Sequence, residues 1–173
     1  MLNMEILKDK RKITLGLDLD GTLADSIRIY LKNEQRGFFK IRDISEAFTI
    51  IWNNWKEIPL VDKRIPEYVD SLSQRYNVCI VTATSGKDRD VINWLNYNSI
   101  KPANIIFSDA TKKHEHCDVL IDDMVFVLNH LVRHNKRGIL LNMPWSEKAS
   151  FGIDDRVEIF NDWKEIYTVL SRH

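Results

Sequence analysis

Short apolar segments alternate with amphipathic segments along almost the whole chain, and this alternation limits the folds available to it. The apolar segments have the length of buried strands, and the segments between them have helical periodicity. They are ITLGLD from residue 13, NVCIVT from 77, NIIF from 104, DVLID from 118, RGILLN from 137 and RVEIF from 156. Strands joined by helices form parallel sheets that are covered on both faces. The predicted fold is therefore α/β, with a Rossmann-like, mostly parallel sheet and helices on both faces.

The segments between these strands carry sequence features that are typical of helices. Pro66 is placed for the first turn of a helix with the sequence PEYVDSLSQRY. Ser85 followed by Asp88 has the form of a capping box for a helix from Lys87 to about Asn98. Further helices are predicted over about 124–135 and over the terminal NDWKEIYTVLSR.

Residues 27–65 depart from this alternation, because the segment is longer than a single crossover helix requires. It is rich in aromatic residues but contains no convincing strand, so we predict a small helical cap inserted after the first strand. The predicted core then comprises residues 1–26 and 66–173. We expect most of the aromatics to pack within the cap and one or two to face a ligand. They are Phe38, Phe39, Phe48, Trp52 and Trp55.

Composition disfavours several classes of partner. Among the 173 residues, 25 Lys and Arg balance 25 Asp and Glu, so no basic excess favours long nucleic acids. No uninterrupted apolar run approaches the roughly 20 residues of a membrane span. Two cysteines, Cys79 and Cys117, are too few for a disulfide framework and suit a reducing compartment. We expect a cytoplasmic protein without a membrane partner, and a homodimer is left open.

The stretch LGLDLDGTLADS crowds two carboxylates, Asp18 and Asp20, directly behind the first apolar segment. An Asp-Gly pair is common in hairpin turns, but the SIRIYLKN that follows has the character of a helix rather than a second strand. A strand that ends in acids and enters a helix presents its carboxylates at the carboxyl end of a sheet, where α/β proteins bind ligands.

Other strand ends carry residues that would meet at the same edge. Thr82 and Ala83 follow NVCIVT and could cradle a phosphate, and Lys112 supplies a cation. A second acid pair, Asp122 and Asp123, ends DVLID. Carboxylates from two strand ends repel each other unless a divalent cation lies between them, and ligands that are all oxygen suit Mg²⁺. The sequence therefore predicts a magnesium site.

These motifs, in this order along nearly the whole chain, resemble the haloacid dehalogenase (HAD) superfamily of phosphohydrolases. The resemblance is carried by DLDGTLADS, the threonine after an apolar strand, a loop lysine and IDD. Within the superfamily, LIDDM, MPWS and RVEIFNDWKEI resemble the 5'(3')-deoxyribonucleotidase family, whereas the loops at 84–86 and 109–111 differ from its usual pattern. The resemblance implies a HAD-like core with a helical cap, and a magnesium-dependent phosphatase acting on nucleoside monophosphates.

The resemblance also implies a role for each acid. Asp18 would attack phosphorus and form an aspartyl-phosphate, and Asp20 would serve as general acid and then general base. Magnesium would be held by Asp18, by the carbonyl of Asp20 and by the acid pair, chiefly Asp123 with Asp122 beside it.

The predicted substrate contacts are Thr82, Ala83, Lys112 and the cap residue Trp52. Lys113 competes with Lys112, whose distance from the acid pair fits the family better. The partner would be a small phosphomonoester, either a (deoxy)nucleoside monophosphate or another compound such as a sugar phosphate or phosphoglycolate. A non-catalytic binding module that kept the fold is the alternative class of function.

Histidines elsewhere in the sequence are not assigned to a site. His114, His116 and Cys117 lie in one loop without a clear fourth zinc ligand and are interpreted as solvated loop residues. His130 and His134 are spaced for one face of a helix and are interpreted as surface residues.

Overall fold

A computed structural model describes the fold over residues 11–37, 43–146 and 152–172. Six parallel strands form one sheet in the order β3-β2-β1-β4-β5-β6. The strands are β1 (Thr14–Leu17), β2 (Asn77–Thr82), β3 (Asn104–Phe107), β4 (Val119–Asp122), β5 (Arg137–Leu141) and β6 (Glu158–Phe160). The predicted α/β class and all six predicted strands are confirmed. β6 is shorter than RVEIF because Arg156 and Val157 lie in the turn before it.

Six α-helices connect or flank the strands in the described residues. They are α1 (Ser26–Gln35), α2 (Ile44–Asn53), α3 (Ile65–Ser73), α4 (Asp88–Tyr97), α5 (Val125–Arg133) and α6 (Trp163–Leu170). Pro66 lies in the first turn of α3 as predicted, because the first turn of a helix leaves its amide without an intrahelical partner anyway.

The predicted capping box of α4 is wrong. The helix begins after Lys87, which has extended backbone angles, and in the described chain no side chain caps its first turn. Ser85 lies too early to cap the helix. Its hydroxyl instead pairs with the hydroxyl of Ser45 at 2.8 Å, and its carbonyl accepts a hydrogen bond from Thr49 on α2. The segment that follows β2 is thereby tied to the helices inserted after β1.

Side chains of the strands alternate between two apolar layers, as the period of two requires. On one face, Leu15 and Leu17 of β1 join a core that also contains buried residues of α3, α4 and α6. On the other face, Leu120 of β4 and Leu140 of β5 pack with α5. Helices therefore cover both faces of the sheet. In such a fold, ligand-binding groups are expected at the carboxyl edge of the sheet.

The segment between β1 and α3 contains α1, α2 and the 3₁₀-helix Trp55–Glu57, with no named strand in its described residues. Ile51 and Trp52 of α2 belong to the same apolar cluster as the strands. The predicted cap aromatics Phe38 and Phe39 lie outside the described residues, and the division of the chain into a core and a cap domain stays a prediction.

The two cysteines, Cys79 and Cys117, are free and buried on the face of the sheet that α5 covers. Within the described ranges, no helix combines the length and apolar character that crossing a membrane requires.

Candidate active site

A buried lysine bridges two carboxylates at the carboxyl edge of the sheet. The Nζ atom of Lys113 donates to Asp18 Oδ1 at 2.5 Å and to Asp122 Oδ2 at 2.8 Å. All three residues are at most 5% exposed. β1 and β4 are neighbours in the sheet, so the end of one brings Asp18 beside Asp122 at the end of the other. The 3₁₀-helix Ala110–Glu115 delivers the lysine to them.

The prediction that Lys112 contacts the reacting group is wrong in this geometry, because Lys113 rather than Lys112 faces the carboxylates. The side chain of Lys112 is 61% exposed and pairs with Asp109 at 3.6 Å, also on the surface. Adjacent residues of a 3₁₀-helix point in directions about 120° apart, so only one of the two lysines can face the acids. Lys112 instead lines a neighbouring cavity of about 550 Å³, which shares Thr82 and Ala83 with the main site.

Asp20 is held by polar side chains from two helices. Its Oδ1 atom accepts hydrogen bonds from the hydroxyl of Ser26 at 2.5 Å and from the indole nitrogen of Trp52 at 2.9 Å. Desolvation raises the pKa of Asp20, although the hydrogen bonds from Ser26, Thr84 and Trp52 oppose the shift. A carboxyl group with a raised pKa is suited to donate a proton near neutral pH.

Trp52 does not lie where a base-stacking residue would lie. Its side chain is fully buried, its ring meets Trp94 edge-on, and a Cβ added at Gly86 would lie 2.6 Å from its Cγ. The prediction that Trp52 contacts substrate is therefore wrong, because its ring is buried against Trp94. The residue fixes the carboxylate of Asp20 instead, which the sequence did not indicate.

The fourth acid, Asp123, is enclosed on one side by residues that follow β5. Its Oδ2 atom accepts a hydrogen bond from the indole of Trp145, and its carbonyl accepts one from Ser146 Oγ at 2.6 Å. Gly21 passes so close that an added Cβ would lie 2.2 Å from Asp123 Oδ2, and its φ of +83° is one that glycine adopts freely. Trp145 and Ser146 belong to the MPWS motif, which was the available sequence signal for them.

The carboxylate cluster fits a divalent cation. Oxygens of Asp18, Asp122 and Asp123 lie within 4.8 Å of one another, and Lys113 supplies one positive charge to the three acids. Asp123 Oδ1 is buried and has no hydrogen-bond partner in the described part of the chain. A buried anionic oxygen without a partner is costly, and hard oxygen ligands suit Mg²⁺. Asp18 and Asp123 are thus suited to hold the ion.

Asp122 and Asp20, the other two residues predicted to bind the metal, have different roles in the structure. Both oxygens of Asp122 are already engaged, one by Lys113 and the other by the amide of Met124 at 2.9 Å. This carboxylate orients the lysine. The side chain of Asp20 faces Ser26 rather than the cluster, and a contribution from its carbonyl stays a prediction.

Burial and mutual repulsion perturb the titration of these groups. Burial, and next the charge of Asp122, raise the pKa of Asp18 to about 7, against the opposing effect of Lys113. Burial also raises the pKa of Asp123 well above its ordinary range, followed by the charges of Asp122 and Asp18. Burial opposes the charge of Lys113, but the two carboxylates outweigh it and raise its pKa. Such strongly perturbed groups in one cluster are typical of catalytic sites.

The acids open into a cavity of about 420 Å³ that has a polar and an apolar part. Asp18, Asp20 and Lys113 line its polar part together with Thr82 and Ala83 at the end of β2. The hydroxyl of Thr82 accepts a hydrogen bond from the amide of Thr84 at 3.1 Å, which holds this turn in place. The predicted residues Asp18, Asp20, Thr82 and Ala83 are thus brought together.

The apolar part of the cavity carries side chains that are unusually exposed for their type. Ile44 is 62% exposed, and Met124 and Phe126 are each 38% exposed. Phe48 of α2 also lines the cavity, and its ring stacks on Tyr30 with centroids 5.6 Å apart. Apolar side chains exposed around a polar site favour a ligand that has an apolar or aromatic portion.

Comparison with known proteins identifies the fold. A hydrolase of the haloacid dehalogenase-like family from Streptococcus pneumoniae superposes with a TM-score of 0.60 at 17% identity, covering 91% of this chain and 98% of that one. A HAD hydrolase from Bacillus subtilis, described as bound to magnesium, gives 0.58 at 14% identity over 93% and 99% of the two chains. An L-2-haloacid dehalogenase gives 0.61 at 9% identity over 92% and 99%.

This chain has the fold of the haloacid dehalogenase-like hydrolases. The HAD-like core predicted from the motifs is confirmed at the level of the fold. None of these three structures is described as a nucleotidase, so the resemblance to that family rests on the sequence motifs. No family model and no curated protein sequence matches the chain.

Proposed function

We propose that this protein is a magnesium-dependent phosphomonoesterase that works through an aspartyl-phosphate on Asp18. The observation that carries the proposal is the placement of Asp18 against Lys113, with Asp20 two residues farther on, at the polar end of one cavity. A nucleophile, a cation beside it and a separately held acid are the groups that such a reaction needs.

The first half of the reaction transfers the phosphoryl group to the protein. An oxygen of Asp18 forms a bond to phosphorus while the ester P–O bond breaks. Asp20 gives its proton to the leaving oxygen, and the hydrogen bonds from Ser26 and Trp52 keep the carboxyl group in position for this transfer. Lys113 holds the nucleophile through Oδ1 and offers positive charge to the phosphoryl oxygens.

The second half of the reaction regenerates the carboxylate. Asp20, now deprotonated, removes a proton from a water molecule that attacks phosphorus, and the bond from phosphorus to Asp18 breaks. Magnesium held by Asp18 and Asp123 would neutralise the nucleophile and the phosphoryl oxygens. The hydroxyl of Thr82 and the amides that follow it are available to bind those oxygens.

The same arrangement favours phosphate esters over haloacids. A halide leaves as a stable anion and needs no proton, whereas an alkoxide leaving group does. A proton donor held two residues after the nucleophile is therefore of use for an ester. The carboxylate cluster also fits the cation that phosphoryl transfer commonly uses.

Nucleoside monophosphates are the substrates that we propose within this class. The cavity of about 420 Å³ lies within the range of small-ligand sites, and Phe48 and Phe126 line its apolar part. An aromatic side chain beside a phosphate site can stack on a nucleobase. A sugar phosphate or phosphoglycolate has no aromatic ring that could stack on these side chains.

A substrate panel tests both levels of the proposal. Release of phosphate from 5'- and 3'-nucleoside monophosphates, sugar phosphates and phosphoglycolate is measured with Mg²⁺, alongside release of halide from 2-haloacids. We expect phosphate release that is fastest with nucleotides and is abolished by Asp18→Asn. Asp70→Asn, an exposed acid on α3, is the matched control and keeps full activity. Activity on haloacids alone would contradict the reaction class, and preference for a sugar phosphate would contradict only the substrate.

A further inference from the structure

Three histidines that the proposed reaction does not use converge on the face of the protein formed by α5 and the Lys113 segment. His114 belongs to the 3₁₀-helix Ala110–Glu115, His130 lies on α5, and His134 follows the end of α5. One ring nitrogen from each lies within 4.8 Å of one from each of the others. The sequence separates His114 from the other two, and only packing of the two helical segments brings it to them.

The three rings face one another closely. Those of His114 and His134 are stacked, with centroids 3.8 Å apart and planes 20° from parallel. The centroid of the His130 ring lies 5.0 Å from that of His114 and 4.6 Å from that of His134. Each histidine is at least partly exposed, so solvent and ions can reach the cluster.

Backbone hydrogen bonds determine which nitrogen of two rings is free. Nδ1 of His114 lies 3.0 Å from the carbonyl of Thr111, and Nδ1 of His134 lies 3.0 Å from the carbonyl of His130. A carbonyl oxygen only accepts, so the proton of each neutral ring is on Nδ1. The lone pair is then on Nε2. Histidines that bind metals commonly have their other ring nitrogen fixed in this way.

We propose that His114, His130 and His134 form a binding site for a transition-metal ion such as zinc. Imidazole nitrogen suits zinc, copper and nickel, whereas the all-oxygen cluster of Asp18 and Asp123 suits magnesium. Tetrahedral zinc with bonds of about 2.0–2.1 Å needs ligand nitrogens about 3.4 Å apart, and one nitrogen of each ring already lies within 4.8 Å of the others. Three protein ligands leave the fourth position to water.

The site would act on the segment that carries the catalytic lysine. His114 directly follows Lys113, and α5 begins just after the acid pair Asp122 and Asp123. A metal ion bound by all three histidines therefore clamps the 3₁₀-helix to α5. The proposal does not depend on the phosphatase reaction, because metal binding is measured without substrate.

Calorimetric titration with zinc chloride tests the site. The full chain without a polyhistidine tag is used, with saturating Mg²⁺ to occupy the carboxylates. We expect one zinc ion per chain, with affinity at least tenfold weaker in His114→Ala and in His134→Ala. His116→Ala changes a histidine of the same segment that lies outside the cluster, and it keeps the wild-type affinity. Asp123→Asn also keeps it, because the carboxylates are not the ligands.

Thermal denaturation gives a second readout. Zinc at about 100 times the dissociation constant of the wild type should raise the Tm of the wild type by about 5–10 °C and that of His114→Ala by about half as much or less. Wild-type protein that binds no zinc would overturn the proposal. So would loss of zinc binding in Asp123→Asn, or equal loss in His116→Ala and His114→Ala.

Discussion

Replacing Lys113 by Met removes a positive charge that pairs with two buried carboxylates. Met fills a similar volume, so the change isolates the charge from the packing. Asp18 and Asp122 then remain in the interior, where an unpaired carboxylate is costly. Removing one partner of a buried ion pair typically costs about 3–5 kcal/mol. For a chain of this length the loss corresponds to a fall in Tm of about 6–20 °C.

The matched control is Lys112→Met, one residue earlier in the same 3₁₀-helix. Its ion pair with Asp109 joins side chains that are 61% and 75% exposed, so its contribution is below about 1 kcal/mol. Denaturation in urea at pH 7.5 measures the free energy of unfolding of both variants. Phosphate release measures their activity, and we expect a loss of about 100-fold or more for Lys113→Met and less than tenfold for Lys112→Met.

Two further measurements sharpen this prediction. The instability of Lys113→Met should shrink as the pH falls towards 5, because the unpaired carboxylates then take up protons. The double variant Lys113→Met, Asp122→Asn should recover part of the stability, since one of the two unpaired charges is gone. The reasoning is refuted if Lys112→Met loses as much activity as Lys113→Met, or if Lys113→Met is as stable as the wild type at pH 7.5.

Two other predictions concern the Mg²⁺ ion and the contact with a nucleobase. Since burial, and next Asp122, raise the pKa of Asp18 to about 7, the protein in chelator should lose stability as the pH rises from about 4 through about 7. Added Mg²⁺ should therefore raise the Tm more at pH 7.5 than at pH 5 in thermal melts, and an equal gain at both pH values would argue against a cation on these carboxylates. Phe48→Ala should lower kcat/KM on a nucleoside monophosphate about tenfold while changing little on a small phosphoester without a base. Trp55→Ala, which removes a ring packed on Tyr97, is its control, and an equal loss on both substrates would assign Phe48 a structural role.

The sequence alone determined the order of the strands and main helices and the edge of the sheet at which the candidate site lies. Apolar runs of strand length and helical periodicity are local properties, so they can be recognised without knowledge of the fold. Parallel connections then bring all carboxyl ends to one edge, which is why Asp18 and Asp122 could be expected to meet there.

Only the tertiary structure decided which side chains face the site. Lys112 and Lys113 are the same residue type one position apart, and the packing of the 3₁₀-helix against β2 and α5 selects the second. Trp52 points into the core because Gly86 leaves room for its ring, and the resulting hydrogen bond reaches Asp20. The approach of His114 to α5 is likewise a contact between segments remote in sequence. Side-chain direction depends on neighbours that local patterns do not specify, and for this reason the sequence indicated the strand-end acids but not the groups that hold them.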